Sequence, residues 1–158
     1  MARPLSAPRG TRDLLPEDGA AWNRAEALAR DLSHRYAFDR IETPLFERTE
    51  LFARGLGEAS DAVEKEMFRV GGAAGSEEER AEWALRPEPT AGIIRAFVEH
   101  GMHVRPGPLR LWMLGPMFRY DRPQAGRYRQ FWQWDIEAIG DPGPAVDAEI
   151  IELGHRFY

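Results

Sequence analysis

Five residues alternate along the segment 128–139 in a pattern that could do chemistry. A β-strand turns every second side chain to the same face. Arg129, Phe131, Gln133, Asp135 and Glu137 therefore share one side, and Tyr128, Gln130, Trp132, Trp134, Ile136 and Ala138 share the other. The first side is polar apart from one aromatic. The second is apolar from Trp132 onward and belongs against helices, which puts Trp132 and Trp134 in the expected core. Arg119, upstream, joins the polar side if its strand pairs with this one through the loop between them. Arginines at 105, 110, 119, 122, 127 and 129, with the single acid Asp121, make this region locally +5 in a chain of net charge −5. Compositional bias covers the total, since only Lys65 of the 21 basic residues is lysine, but it does not explain the clustering. Arginine forks match phosphate oxygens, Phe131 offers a plate for a flat base, and recessed carboxylates suit a cation. The combination points to a nucleotide bound beside a cationic small molecule. The wet side of an ordinary antiparallel sheet gives the same alternation, so period two alone leaves both readings open.

Other elements must position this strand. Pro16, Glu17 and Asp18 open a helix, with acids placed to favour its N-terminus. Trp22, Ala25, Ala29, Leu32 and Tyr36 recur at helical spacing as its buried stripe. Ile41, Thr43 and Leu45 alternate around Glu42 and Pro44, which predicts an edge or interface strand because proline cannot donate to a ladder. Thr49 starts a short helix ending near Gly55 or Gly57. Met67 to Val70 and Trp83 to Arg86 read as hairpin arms around an exposed Gly/Ala/Ser-rich, then acidic, loop from Gly71 to Arg80. Pro89 suits a first helical turn, Ile93, Ile94, Phe97 and Val98 form that helix's apolar face, and Gly101 ends it. Leu109 to Leu114 is a strand that Met117 to Asp121 extends or follows, then comes a basic loop from Arg122 to Arg127. Asp141 to Pro144 breaks the long strand, and a last helix begins at Ala145. No βαβ alternation surrounds a Gly-rich turn, so the expected fold class is α+β, an antiparallel sheet flanked by helices.

Composition excludes several classes of function. With 158 residues the chain is long enough for one domain with a sizeable core. No apolar run approaches the ~20 residues that span a bilayer, and the N-terminus lacks the apolar stretch of a signal peptide, so a cytoplasmic location and no membrane partner are expected. The absence of cysteine removes disulfides and thiolate metal sites. His34, His100, His103 and His155 lack the spacing of a metal site or a triad and read as surface or packing residues. Neither GxxxxGK[ST] nor GxGxxG is present.

The run Gly115-Pro-Met-Phe-Arg-Tyr-Asp-Arg-Pro-Gln-Ala-Gly-Arg-Tyr-Arg-Gln-Phe131 resembles motif 2 of the class II aminoacyl-tRNA synthetases in its histidyl-specific form. Leu85-Arg-Pro-Glu-Pro-Thr-Ala-Gly92 resembles the histidine-binding segment of that family, and Pro8-Arg-Gly-Thr-Arg-Asp-Leu-Leu-Pro16 its opening signature. The helix ending near Tyr36 and the strand through Pro44 resemble motif 1, the dimer-forming element. Motif 1 would cover about residues 18–47 and motif 2 about residues 110–140, and the whole of 1–158 would be the N-terminal portion of an incomplete class II catalytic domain. The later histidine-specific segment, motif 3, an anticodon-binding domain and the remaining strands of a six-stranded antiparallel sheet are expected beyond residue 158. Without them, weak activity or none and an exposed sheet edge are expected.

The resemblance implies a histidine–tRNA ligase, which makes histidyl-adenylate from histidine and ATP and transfers the histidyl group to the cognate tRNA. Arg119 would hold the α-phosphate and the histidine carboxylate as the catalytic cation. Glu88, Pro89, Thr90, Arg119, Gln133 and Glu137 would bind histidine, with Glu88 and Thr90 on the amino group and Glu137 toward the imidazole. Asp121 would read the adenine side, Arg127 the distal phosphates, and Tyr128 would shape the loop while Phe131 stacks on adenine. Arg9, Arg122 and Arg129 are candidate tRNA contacts. Magnesium would accompany ATP, without a dedicated protein metal site, and a homodimer would form through motif 1. Glu88 also fits a carboxylate serving its helix's N-terminus, and Gln133 and Glu137 also fit an exposed strand face. Pro89 and Ala37 stand where the family usually has glycine, so the contact around Thr90 is expected to differ and Ala37 to be tolerated. The alternative function is a regulatory paralogue of ATP phosphoribosyltransferase that binds histidine without charging tRNA. The basic loop argues against it, and net charge −5 argues against a plain RNA-binding module.

Overall fold

The computed structural model describes residues 4–56, 66–70, 83–122 and 124–158; the loop expected at Gly71 to Arg80 lies outside them. The central feature is a ten-residue antiparallel hairpin, β5 (Leu109–Phe118) with β6 (Gln130–Ile139), in register from Leu109 opposite Ile139 to Phe118 opposite Gln130. The two-residue strand β1 (Asp39–Arg40) runs parallel to β5 at Leu111 and Trp112, which completes the order β1-β5-β6. A second, antiparallel sheet has the order β2 (Phe46–Arg48), β4 (Trp83–Leu85), β3 (Arg69–Val70). The expected hairpin arms are therefore β3 and β4, and the class is α+β with antiparallel sheets and flanking helices.

Helices α1 (Pro16–Arg35) and α4 (Pro144–Phe157) cover one face of the main sheet. Each has proline in its first turn, acids near the start and basic residues near the end, the arrangement that suits the helix dipole. Phe38, Trp112 and Leu153 form the buried centre of this layer, with Trp134, Ile136 and Ala138 from β6 packed around it. The buried hydroxyl of Ser33 donates to the Ala29 carbonyl at 2.8 Å and accepts from Trp134 Nε1 at 3.0 Å, so one side chain fastens α1 to β6. Arg110 ties the same layer together: it pairs with Glu149 of α4 at 2.6 Å, donates to the Tyr36 carbonyl and lies over the Phe38 ring. The stripe on α1 is narrower than its spacing suggests, since Ala29 and Leu32 are buried, Trp22 and Tyr36 half-buried and Ala25 exposed.

Helix α3 (Thr90–Glu99) covers the other face, where Ile93 packs with Leu111, Met113 and Met117 of β5. Beside it, α2 (Thr49–Leu56) seats Phe52 against Met67, Ala84 and Ala91 under the second sheet. Arg95 bridges Glu47 of β2 at 2.5 Å and Glu99 one turn on, anchoring α3 to that sheet. No helix among the described residues is long and apolar enough to cross a membrane.

Four expectations need correction. Ile41 to Leu45 is not a strand, because β1 stops at Arg40 and β2 starts at Phe46. Pro44 has no N–H to give and the Thr43 carbonyl is taken by the Arg86 side chain, so only the ends of the segment continue the neighbouring ladders, through the Ile41 N–H on the Trp112 carbonyl and the Arg86 N–H on the Leu45 carbonyl. On α3 the buried set is Ala91, Gly92, Ile93 and Ala96, while Ile94 and Val98 are 40% and 65% exposed. Two adjacent apolar stripes run along that helix and only one meets the sheet. Trp132 is 45% exposed rather than core. It stands edge-on to Trp22, 5.1 Å between ring centres, at an open groove of about 670 Å³ that Trp134 and Phe157 also line. Pro89 is the residue before the first turn of α3 rather than inside it, and it is buried at φ −91°, ψ −28°. That backbone demands no glycine, so proline fits where the resembling family usually has one. Ala37 is the opposite case, with φ +57° immediately after α1. A left-handed alanine costs ~1 kcal/mol, which gives the usual glycine there a physical reason.

Candidate active site on the β5–β6 hairpin

Antiparallel register puts directly opposed residues on one face. Met117 faces Phe131, Gly115 faces Gln133, Met113 faces Asp135 and Leu111 faces Glu137. The polar row on β6 thus lies beside an apolar row on β5, which the sequence of β6 alone does not reveal. Arg119 joins this face just beyond the ladder, where its N–H donates to the Arg129 carbonyl at 2.9 Å. Its Nε donates to the Pro87 carbonyl at 2.8 Å, and its guanidinium carbon sits 5.2 Å from the Phe131 ring centre. The hairpin therefore holds a cation and an aromatic plate side by side.

The acidic end of the row is electrostatically crowded. Burial first, then the charges of Glu137 and Glu88, push the Asp135 carboxyl up to about 7, against a smaller opposing effect of the hydrogen bond from Gln133. Gln133 Nε2 reaches Asp135 Oδ1 at 3.4 Å, while the buried Oδ2 finds no hydrogen-bond partner among the described residues. An Asp with a raised folded pKa binds a proton that the unfolded chain has lost, so its contribution is present below pH ~4 and disappears as pH rises through about 7. Replacing Asp135 with Asn removes that liability. We expect Asp135→Asn to stabilise the fold at pH 8 by about 2 kcal/mol, roughly half the full linkage value because the group retains some solvent contact. Denaturant titrations at pH 4.5 and pH 8 check this: the variant's advantage must grow with pH.

Glu88 reaches the site from the second sheet side. Its Oε2 accepts from the Thr90 N–H at 2.6 Å and its Oε1 from the Ala91 N–H at 3.0 Å, so both oxygens cap α3. Each carboxylate oxygen has a further lone pair for a ligand ammonium. Between this segment and the hairpin lies Arg86, which is 2% exposed. Its Nε donates to the Pro116 carbonyl at 3.0 Å and its Nη1 to the Thr43 carbonyl at 2.8 Å. A Cβ on Gly115 would collide with the Arg86 guanidinium, so the glycine makes room for the cation directly opposite Gln133. Burial lowers the Arg86 pKa, and the charge of Glu42 partly opposes that shift.

At the loop end, Arg127 lies 3.9 Å from Asp121 and closes a turn with Gln124, to which its N–H donates at 2.9 Å. Arg122, Arg127 and Tyr128 are exposed, and the Arg12 guanidinium lies over the Tyr128 ring. Arg129 is half-buried: its guanidinium lies 3.8 Å from the Tyr120 ring centre and donates to the Asp121 and Arg9 carbonyls. Arg9 is exposed. Of the candidate residues, the fold gathers Arg119, Phe131, Gln133 and Glu137 on one face with Glu88 nearby, and leaves Arg127 and Tyr128 on the open loop. The sequence put Asp135 on the polar face without assigning it a role, and it gave Arg86 none. Alternation gives the face of Asp135 but not its desolvation, and the partners of Arg86 are distant in the chain.

A family model described as histidyl-tRNA synthetase matches residues 10–158. A histidine–tRNA ligase of Desulforudis audaxviator (strain MP104C) is 53% identical over 154 residues, covering 98% of this chain and 36% of the relative. A histidine–tRNA ligase of Thermosynechococcus vestitus (strain NIES-2133 / IAM M-273 / BP-1) is 52% identical, covering 94% and 34%. Among solved structures, the apo histidyl-tRNA synthetase of S. aureus superposes with a TM-score of 0.78 at 37% identity, covering 98% of this chain and 34% of that one. A Bacillus halodurans C protein, described as an ATP phosphoribosyltransferase regulatory subunit/histidyl-tRNA synthetase, superposes with a TM-score of 0.79 at 27% identity, covering 98% and 38%. The chain spans about a third of the length of the curated relatives it matches.

Proposed function

The chain belongs to the histidyl-tRNA synthetase family, and from that premise we propose that its β5–β6 hairpin forms the ATP-facing half of a site that activates histidine for transfer to tRNA. In the reaction a histidine carboxylate oxygen attacks the α-phosphorus of ATP. A Pα–O bond forms, the bond to the β-phosphate oxygen breaks, and pyrophosphate leaves with its electron pair. Charge builds on the α-phosphate oxygens, and a cation fixed beforehand stabilises it without reorganising. Arg119 fits that role because Pro87 holds the plane of its guanidinium. The observation that carries the reading is the pairing of Arg119 with Phe131 at the head of the row Gln133, Asp135 and Glu137. A cation beside an aromatic plate, with polar acceptors further along the same face, suits a reaction in which the α-phosphate joins adenosine to a cationic amino acid.

Gln133, Glu137 and Glu88 supply acceptors for the histidine amino group and imidazole, with Thr90 beside Pro89 at the start of α3. A site built from such polar groups rejects analogues lacking the matching donors by ~10⁴-fold or more. Arg127 and Asp121 lie on the loop for the distal phosphates and the adenine side, and Tyr128 shapes the loop. Magnesium enters on the phosphates of ATP as part of the substrate. The tRNA contact falls to exposed Arg9 and Arg122, since the guanidinium of Arg129 is taken up internally. A homodimer through α1 and the segment after it, and a cytoplasmic location, complete the proposal. The later histidine segment and motif 3 would bring the remaining half of the site.

The likeness to the Bacillus halodurans C protein favours a second reading, histidine-binding regulation without charging. Histidine-dependent ATP–pyrophosphate exchange, measured on the protein as its gene encodes it, separates the two. Exchange above the no-histidine background is expected; histidine binding with no exchange would support the regulator.

A further inference from the structure

The opening signature Pro8-Arg9-Gly10-Thr11 has no role in binding ATP or histidine, yet it is folded into a definite turn. The Thr11 N–H and hydroxyl both donate to the Pro8 carbonyl, at 3.0 and 2.8 Å. Gly10, third in the turn, has φ +86°, which a β-branched side chain cannot adopt without strain. The turn presents its Gly10 carbonyl to the Arg129 N–H at 2.6 Å, just where β6 is about to begin. The Arg129 carbonyl in turn accepts from the Arg119 N–H at 2.9 Å. The Arg129 side chain repeats the connection, with its Nη1 on the Arg9 carbonyl, its Nε on the Asp121 carbonyl and its plane over Tyr120. Arg12, next in the arm, lies 5.3 Å from the Tyr128 ring centre.

The turn and Arg129 thus grip both ends of the basic loop, at residues 119–121 and at 128–129. We infer that residues 8–12 and Arg129 form a clamp that sets the basic loop for the nucleotide phosphates, with Arg129 a positioning residue rather than a ligand contact. The inference rests on the ATP-binding reading of that loop. Its mechanical part does not, because loop order is measurable without any ligand. The clamp predicts asymmetry between substrates. The loop serves the nucleotide, whereas Gln133 and Glu137 sit further along β6 and keep their register through the ladder with β5.

The test uses Gly10→Val and Arg129→Ala in the protein as its gene encodes it, with two readouts. Limited trypsin digestion without ligand follows the peptide ending at Arg127, and exchange kinetics give KM for ATP and for histidine separately. Each variant should speed cleavage after Arg127 and raise KM for ATP by about three- to tenfold, the scale of one or two lost hydrogen bonds, with KM for histidine within about twofold. The double variant should be no worse than the poorer single, because both break one clamp. Arg12→Ala, which leaves the turn intact, should give the same pattern in weaker form and covers the case in which a clamp variant misfolds. Unchanged cleavage overturns the clamp. So does a parallel rise in both KM values with a falling melting temperature, which marks general destabilisation. Faster cleavage with no exchange activity in the parent protein keeps the clamp and overturns only the ATP reading.

Discussion

Replacing Arg119 with alanine is expected to lower the rate of the proposed histidine-dependent exchange by about 10²–10³-fold, the range found when one preorganised charge-stabilising donor is removed. The expectation follows from where the guanidinium is held. The Pro87 carbonyl fixes Nε at 2.8 Å, and Phe131 borders the other side at 5.2 Å, so the cation is in place before substrate arrives. Its cost in side-chain entropy has been met in folding, and its gain appears as charge develops. The loss should therefore fall mainly on kcat, with KM for either substrate moving much less. Arg119→Lys should recover little, because a lysine ammonium cannot both donate to Pro87 and present a planar fork to phosphate. Single-turnover exchange kinetics on the protein as its gene encodes it check the split. A variant within about threefold of the parent in kcat would remove Arg119 from the chemistry.

Arg86→Ala is expected to destabilise the fold by about 3 kcal/mol, which for a chain of this size would lower the melting temperature by roughly 6–12 °C. Arg86 is 2% exposed and its side chain satisfies the carbonyls of Thr43 and Pro116. Truncation leaves the buried Thr43 carbonyl and the half-buried Pro116 carbonyl without that donor and opens a space above Gly115. Burial disfavours the guanidinium charge, with Glu42 only partly opposing, so the loss is smaller than a count of broken bonds suggests. Arg86→Lys should fall between the parent and alanine, since a single ammonium cannot span acceptors on Thr43 and Pro116. Denaturant midpoints of the three proteins measure this. Equal midpoints for alanine and arginine would mean that the carbonyls find other partners.

Much of the hairpin could be read from the chain. Strict alternation from Arg129 to Glu137 settled which residues share a face, because a strand offers only two. The long run from Gly115 to Phe131 supplied what alternation could not, namely the family to which the chain belongs. What stayed hidden depends on tertiary neighbours. Burial of the Asp135 carboxyl raises its pKa, and nothing in the local sequence signals that burial. Arg86 carries no local sign of burial, because its acceptors are 43 and 30 residues away in sequence. The segment Ile41 to Leu45 imitates a strand, since alternation reports an extended backbone and not who takes its hydrogen bonds. Trp132 was misplaced for a related reason: its face was identified, but α1 and α4 close over Trp134 and leave Trp132 on the open groove.

In the proposed site one face of β5–β6 gathers the contacts for phosphate, adenine and histidine, on Arg119, Phe131, and Gln133 with Glu137. The most direct measurement is a crystal structure of the protein as its gene encodes it with a non-hydrolysable histidyl-adenylate analogue. The phosphate mimic is expected on Arg119, adenine against Phe131 and the imidazole between Gln133 and Glu137. An analogue seated elsewhere, or a histidyl group bound with its adenosine away from Arg119 and Phe131, would contradict that arrangement.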